Sequence, residues 1–175
     1  MIQKPNILLV AGTGRNIGKT VTACRIIARF AKEHEPVGVK ISPHFHELEG
    51  STEYVYQSGN FVIVREKNIS QKDSSRMLQA GAKTVFYMQC KPGHLSVAMD
   101  CLLPLLSSES PVIVESGGVY DILEPGLLIF ITGGEAKKTF HIRPETLVLH
   151  LDSADVQEFA GENILFINEK ITIDA

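Results

Sequence analysis

Residues 6–20 read NILLVAGTGRNIGKT and place a glycine-rich turn between a strand pattern and a helix pattern. Residues 6–11 form an apolar run that predicts a buried β-strand, and apolar residues at helical spacing over 18–32 predict a helix. Glycines let the backbone between them curl, so that successive N–H groups and the positive end of the helix dipole surround one anion. The sequence therefore predicts a phosphate-binding loop over residues 12–20. The alternative is a glycine-rich turn that begins a helix and binds no ligand.

Each residue of this loop is a candidate contact for the phosphates of a nucleotide. Lys19 can reach the terminal phosphates, and the hydroxyl of Thr20 can bind Mg²⁺. Thr13 stands where the common Gly-x-x-x-x-Gly-Lys-Ser/Thr pattern has its first glycine, and Gly12 makes this loop one residue longer. The predicted phosphate-binding residues are Gly12, Thr13, Gly14, Arg15, Asn16, Ile17, Gly18, Lys19 and Thr20.

Beyond the loop, short β-branched runs alternate with helical patterns, which is typical of a largely parallel sheet covered on both faces. Strands are predicted over residues 37–42, 84–88, 111–115, 127–132, 146–150 and 164–167, and helices over 73–80 and 93–106, where Pro104 should bend or end the helix. Two alternating runs around Ser58-Gly59-Asn60 predict a β-hairpin over residues 53–66, as an insertion or an edge ribbon. We therefore expect a three-layer α/β fold of the P-loop NTPase class with about seven strands plus the hairpin, in one domain over residues 1–175.

The composition of the chain bears on whether it binds nucleic acid or membranes. The 175 residues carry a formal net charge of -3, which gives no general attraction to nucleic acid or to an anionic membrane. No apolar run approaches the length of a membrane span, and the first ten residues are too short and lack the cleavage site of a signal peptide. The three cysteines show no paired spacing, which favours reduced thiols. We expect a cytoplasmic protein that binds neither nucleic acid nor membrane.

A phosphate-binding loop needs a further group to hold its metal, usually a carboxylate at the end of a neighbouring strand. Glu115 ends the apolar run VIVE, and the backbone of Gly117 just beyond it can approach a ligand closely. The alternative for Glu115 is an exposed carboxylate beside a glycine turn. Asp73 is predicted either to contact phosphate or Mg²⁺, or to cap a short helix. The predicted metal ligands are Thr20, Glu115 and Asp73.

Further polar residues lie where strands end or helices begin. Lys40, at the end of a buried strand, opens toward the same crevice as the loop. Arg76, on the first turn of the helix after Asp73, either meets an anion or is solvated. His44 and His46 form either a metal clip or, in the interpretation we favour, exposed loop residues. We predict ligand contacts for Lys40, Asp73, Arg76 and Gly117, and residues 132–137 are a candidate for the base by position alone.

Two resemblances follow from these motifs. Gly-Thr followed by four residues and Gly-Lys-Thr, with the Val-Glu-x-Gly-Gly segment, resembles dethiobiotin synthetase and the cobyrinic acid a,c-diamide synthase group. The combination of Val-Gly-Val-Lys at 37–40, histidines at 44 and 46, Lys-Asp-Ser-x-Arg at 72–76 and Ala-Gly-Ala at 80–82 is similar to the molybdopterin-guanine dinucleotide biosynthesis adaptor family. That family consists of small GTP-binding P-loop proteins, and the similarity extends over about the first two thirds of the chain.

The resemblances imply three functions. The first is a Mg²⁺-dependent protein that binds GTP or ATP, hydrolyses it slowly if at all, and assists a partner enzyme of cofactor biosynthesis. The second is an ATP-dependent ligase like dethiobiotin synthetase, in which Lys19 and Glu115 are the catalytic residues. The third is a degenerate P-loop domain that serves as an interaction module. Both families imply a homodimer.

Overall fold

A mostly parallel sheet of eight strands forms the centre of the molecule. The computed structural model describes residues 1–48, 52–70, 72–133 and 140–174. The strands of this sheet are β1 (Ile2–Gly12), β2 (Val37–Ser42), β3 (Glu53–Gln57), β4 (Phe61–Arg65), β5 (Thr84–Cys90), β6 (Val112–Glu115), β7 (Leu123–Thr132) and β8 (Val148–Asp152). The helices are α1 (Lys19–Phe30), α2 (Asp73–Gln79) and α3 (Leu95–Leu102). No helix in these residues is long and apolar enough to cross a membrane.

The strand order is β3-β4-β5-β2-β6-β1-β7-β8. The six strands from β5 to β8 in this order run parallel, which confirms the predicted α/β fold with a mostly parallel sheet. The hairpin predicted over residues 53–66 forms β3 and β4, and β4 pairs antiparallel with β5. It is therefore a ribbon at the edge of the sheet.

The strand predicted over residues 164–167 was wrongly placed in the main sheet. It forms β9 (Ile164–Ile167), which pairs with β10 (Lys170–Ile173) in a separate antiparallel sheet of two strands. Asn168 and Glu169, with φ of 51° and 60°, make the tight turn between these strands. Two successive positive φ angles match the turn that right-twisted hairpins favour, so the chain returns on itself instead of joining β8.

The helix predicted over residues 93–106 is shorter at both ends. Gly93 has a φ of 84° and lies before the helix, which begins at Leu95. A turn of 3₁₀ helix, Leu103–Leu105, replaces its last residues, with Pro104 within the turn. Proline cannot donate the backbone hydrogen bond that would continue an α-helix, so its position explains the stop.

Both faces of the sheet are covered. Along β1, Ile7 and Leu9 face the layer of α3, whereas Leu8 and Val10 face the layer that contains α1, α2, β9 and β10. These four side chains are at most 1% exposed. Burial on both faces explains why the parallel strands are continuous apolar runs.

A largely buried polar cluster fixes the segment that leads into β8. The Arg143 guanidinium donates from Nε to Glu124 Oε2 at 2.7 Å, and from its two terminal nitrogens to the carbonyls of Tyr120 and Leu123 at 2.8 and 3.0 Å. Thr146 Oγ1 donates to Glu124 Oε1 at 2.6 Å and lies 2.6 Å from the Tyr120 hydroxyl. We call these side chains, Tyr120, Glu124, Arg143 and Thr146, the arginine cluster. It ties the return segment to the beginning of β7.

Replacing Arg143 by Ala should lower the free energy of unfolding by about 3 kcal/mol, because Glu124 would keep a largely buried charge without its counterion. Urea denaturation followed by circular dichroism measures the change. Lys32→Ala, at an exposed position after α1, is the control and should change stability by less than about 0.5 kcal/mol. Equal stability of the two variants would contradict a supporting role for the cluster.

Candidate nucleotide-binding site

The turn between β1 and α1 is shaped by two glycines. A Cβ on Gly12 would lie 2.3 Å from the carbonyl oxygen of Ile131, so the close pairing of β1 with β7 requires glycine there. Gly18 has a φ of 96°, and a Cβ on it would lie 2.5 Å from Val156. Asn16 also has a positive φ, of 57°. The positive φ angles of Asn16 and Gly18 reverse the direction of the chain just before α1 begins at Lys19.

The backbone of this turn keeps a series of N–H groups available. Thr13 N–H donates to the Ile131 carbonyl, and in the described part of the chain the next backbone N–H with a protein acceptor is that of Thr22. The intervening groups include the first turn of α1, where N–H groups have no partner inside the helix. Together with the positive end of the helix dipole, they form a surface suited to an anion.

Lys19 is folded back on its own loop. Its Nζ donates to the Gly14 carbonyl. Burial lowers the pKa of Lys19, the charge of Lys40 lowers it further, and the carboxylates of Glu115 and Asp73 only partly offset these effects. A bound anion would therefore relieve the cost of holding the Lys19 charge in this position.

Glu115 bonds to residues on both sides of its strand, because β6 lies between β1, which leads into α1, and β2. The carboxylate is 3% exposed. Its Oε2 accepts a hydrogen bond from Thr20 Oγ1 at 2.8 Å, and its Oε1 accepts one from Lys40 Nζ at 2.5 Å. The residue is thus a buried, fully paired carboxylate and not the exposed strand-end glutamate of the alternative interpretation.

Lys40 also contacts Asp73, whose Oδ2 lies 3.1 Å from Nζ. Burial lowers the pKa of Lys40, but the two carboxylates more than offset that effect, so the pKa is raised from its ordinary value. The other oxygen of Asp73 lies 3.6 Å from Arg76. Asp73 as the helix cap is wrong: the N-cap of α2 is Lys72, and Asp73 is the first helical residue, where it ion-pairs with Lys40.

Two of the three predicted metal ligands are adjacent. Octahedral Mg²⁺ ligands at about 2.1 Å from the ion are about 3 Å apart when they are neighbours, and the Thr20 and Glu115 oxygens are separated by 2.8 Å. These oxygens therefore fit a Mg²⁺ ion that keeps water or phosphate in its other positions. Asp73 is not beside them, because the ammonium of Lys40 stands between it and Glu115. No group of three or more His, Cys, Asp or Glu among the described residues suits a metal.

One pocket of about 710 Å³ opens at this place and collects most of the predicted residues. Ten of them line it, namely Arg15, Asn16, Ile17, Gly18, Lys19, Thr20, Lys40, Asp73, Arg76 and Glu115. Gly12, Thr13, Gly14 and Gly117 do not. Gly12 and Thr13 anchor the turn to β7, Gly14 offers its carbonyl to Lys19, and Gly117 is exposed. His44 lines the pocket too, with its Nε2 2.6 Å from a terminal nitrogen of Arg15.

The serines beside Asp73 hold the chain, and of the two only Ser74 lines the pocket. Ser74 Oγ donates to Glu66 Oε2 at 2.8 Å, and Ser75 Oγ donates to the carbonyl of Asn68 at 2.6 Å. Both bonds tie α2 to the segment that follows the hairpin. The Lys-Asp-Ser-x-Arg motif thus combines residues of the pocket with residues that support it.

Tyr87 and Gln89 of β5 line the pocket and were missed by the sequence interpretation. A signal was present, since they are polar residues at alternate positions of an otherwise apolar strand. Glu66, after the hairpin, was missed as well. Of the candidate base-contact segment over residues 132–137, residues 134–137 lie outside the described residues.

Comparisons of the chain with protein families, with curated proteins and with solved structures found no match. What the pocket can bind is therefore judged by its own residues and their geometry.

Lys40→Met should lower the free energy of unfolding by about 3 kcal/mol at pH 8, because Glu115 and Asp73 would lose their shared counterion. The folded-state pKa of Lys40 is raised above 10.5, so its stabilisation is complete below pH 10.5 and is lost as the pH rises through the folded-state value. The difference between wild type and variant should therefore shrink above pH 10.5. Denaturant unfolding at a series of pH values measures it.

The matched control is Lys83→Met, which removes an exposed pair with Glu35 and should cost at most about 1 kcal/mol at pH 8. A wild-type advantage over Lys40→Met that grew above pH 10.5 would contradict the role given to Lys40.

Proposed function

We propose that the chain is a Mg²⁺-dependent nucleoside triphosphate-binding protein of the molybdopterin-guanine dinucleotide biosynthesis adaptor type. The observation that carries the proposal is the Thr20–Glu115 pair, with two oxygens 2.8 Å apart. It lies at the base of a turn in which the backbone N–H groups between Thr13 and Thr22 have no protein acceptor among the described residues. An anion cradle beside a two-oxygen metal site is what a Mg²⁺-bound phosphate chain requires.

In this proposal the phosphates lie on the N–H groups of the turn and on the first turn of α1. Lys19 leaves the Gly14 carbonyl and binds the terminal phosphates. Their negative charge stabilises the protonated form of Lys19, which burial disfavours. Thr20 and Glu115 hold the Mg²⁺ ion or its water, and the ion neutralises charge on the phosphates. Lys40 adds a second cation from β2.

Slow hydrolysis of the nucleotide is consistent with the pairing of the two carboxylates in the pocket, Glu115 and Asp73. Both oxygens of Glu115 accept hydrogen bonds, one from Thr20 and one from Lys40. Asp73 is bound to Lys40 and Arg76. A general base must be positioned to take a proton from water, whereas the oxygens of Glu115 and Asp73 are already held by protein donors. This supports nucleotide binding with little turnover. In the proposal the chain acts as a homodimer that assists a cytoplasmic partner enzyme.

A second candidate function is an ATP-dependent ligase. It is favoured by one observation: the pocket continues past Lys40 to Tyr87 and to Val64 of the hairpin, which leaves room for a substrate beside the terminal phosphate.

Lys19→Ala should weaken nucleotide binding by about tenfold to a hundredfold, since hydrogen bonds to charged groups contribute about 1.5–3 kcal/mol. Calorimetric titration with ATP and with GTP, each with Mg²⁺, measures it. Lys170→Ala, at the exposed first residue of β10, is the matched control and should bind as wild type does. Unchanged affinity in Lys19→Ala would remove the phosphate site.

Thr20→Val should abolish most of the gain in affinity that Mg²⁺ gives to wild type, because it removes one metal ligand while keeping the size of the side chain. Titrations in Mg²⁺ and in a chelator separate this effect from phosphate binding. An equal Mg²⁺ dependence in wild type and variant would exclude Thr20 as a ligand.

The same titrations, with phosphate release as a second measurement, discriminate the candidate functions. A preference for GTP with negligible turnover supports the adaptor. ATP turnover stimulated by an added carboxylate or amine supports the ligase. A folded chain that binds neither nucleotide supports the interaction module instead.

A further inference from the structure

Strand β8 is the last strand of the main sheet, so only one of its edges is paired, with β7. In a parallel ladder, alternate residues of such a strand bond to the neighbouring strand, and the residues between them point the other way. The Leu147 carbonyl accepts from the Leu128 N–H at 2.9 Å, and the Ser153 N–H donates to the Thr132 carbonyl at 2.8 Å. The odd-numbered residues of this segment therefore bond to β7.

The backbone groups of the even-numbered residues, Val148, His150 and Asp152, accordingly point away from the sheet. In the described part of the chain, no backbone hydrogen bond reaches the N–H or C=O of any of these three residues. A strand in this state offers alternating donors and acceptors to a further strand. We call these groups the outer edge of β8.

Strand β8 is regular and mostly apolar. Its residues keep an unbroken register with β7, from Val148 beside Leu128 to Asp152 beside Thr132. Three of its five residues are Val or Leu, and the strand carries no lysine, arginine or proline. Leu147, directly before it, is 43% exposed. A regular strand of this composition can pair along the whole of its outer edge.

The sequence of β8, VLHLD, suits a second copy of itself. Two copies related by a two-fold axis at His150 run antiparallel, so that His150 faces His150 of the second copy and Val148 faces its Asp152. These are the outward residues, and each pair of them exchanges two N–H···O bonds. Between them, Leu149 faces Leu151 of the second copy in a pair without hydrogen bonds, where side chains approach most closely.

Side chains on both faces of the sheet match across this axis. Leu149 and Leu151 pack on the layer that contains α1, and the axis continues that apolar face into the second copy. The two Asp152 carboxylates lie at opposite ends of the paired strands, each facing Val148, so like charges are kept apart. A register shifted by one residue would set outward residues against residues that already bond to β7. The pairing is therefore specific as well as symmetric.

We propose that two copies of the chain form a homodimer by antiparallel pairing of their β8 strands, which joins the two main sheets into one. Because the strands run in opposite directions, the carboxyl ends of the two sheets, and with them the two pockets, face away from each other. This inference names the interface of the homodimer in the proposed function and rests on that part of it, not on nucleotide binding.

Sedimentation of the full chain over a series of protein concentrations measures dimerisation. His150→Pro should weaken the dimer by about tenfold to a hundredfold, because symmetry removes two N–H donors, each contributing a factor of about five. The fold should tolerate this change, since proline fits an edge strand where its nitrogen points to solvent. His150→Ala is the matched control. It loses the same imidazole but keeps the N–H, and it should dimerise as wild type does.

Amide hydrogen exchange of the wild-type chain, followed by NMR, tests the same edge without a substitution. The amides of Val148, His150 and Asp152 should become protected as the protein concentration rises and the dimer forms. Those of Leu149 and Leu151, which bond to β7, should be protected at every concentration.

Each outcome separates the interface from the rest of the proposed function. A wild-type chain that stays monomeric overturns the interface and the homodimer, whereas the nucleotide titrations judge the pocket independently. A dimer whose Val148 and His150 amides exchange as fast as in the monomer overturns the β8 interface and leaves a homodimer through another surface. Equal dimerisation of His150→Pro and His150→Ala also overturns it. If the protected dimer forms but no nucleotide binds, the interface stands and the proposed nucleotide site fails.

Discussion

The buried carboxylate of Glu115 is the group on which the rest of the site depends. Removing a carboxylate from water is costly unless it is paired and hydrogen-bonded, and at 3% exposure Glu115 needs both of its partners. The partners come from opposite neighbours of β6, Thr20 from the helix after β1 and Lys40 from β2. The need to satisfy one carboxylate thus fixes the distance between the glycine-rich turn after β1 and the polar floor of the pocket.

The sheet makes this arrangement rigid. Its parallel strands are buried on both faces, so their register cannot slip by one residue without exchanging the two apolar faces. Val10, Glu115, Lys40 and Tyr87 therefore lie in a fixed row at the carboxyl end of the strands. At the rim of this row, the buried side chain of Gln89 holds the loop after β2 through two hydrogen bonds to the backbone of His46.

The local sequence pattern was sufficient to predict the glycine-rich turn after β1, the hairpin and the parallel strands. In these segments the strand, glycine and helix signals agree with one another. It also located Lys19, Thr20, Lys40 and Glu115, since strand ends and helix starts meet at the carboxyl edge of a parallel sheet. The strand at residues 164–167 was predicted correctly but placed in the wrong sheet, because the local sequence does not encode which strand it pairs with. Asp73 was predicted either to contact phosphate or Mg²⁺ or to cap the helix, and its ion pair with Lys40 was missed because that contact joins residues distant in sequence. Tyr87 was overlooked although the pattern of its strand carried a signal, because its place beside Lys40 depends on the order of the strands.

The hairpin also changes what the sheet presents at its border. Without it, β5 would be the last strand, and a parallel apolar strand with free backbone groups is a template for the addition of another chain. The ribbon moves the border to β3, where Glu53 is paired with Arg65 and Lys67 and where the pairing with β4 shifts register between Tyr54 and Tyr56. Charge and an irregular backbone are devices that oppose aggregation through sheet edges. The ribbon that forms one wall of the pocket therefore also protects the sheet from self-association in an uncontrolled register.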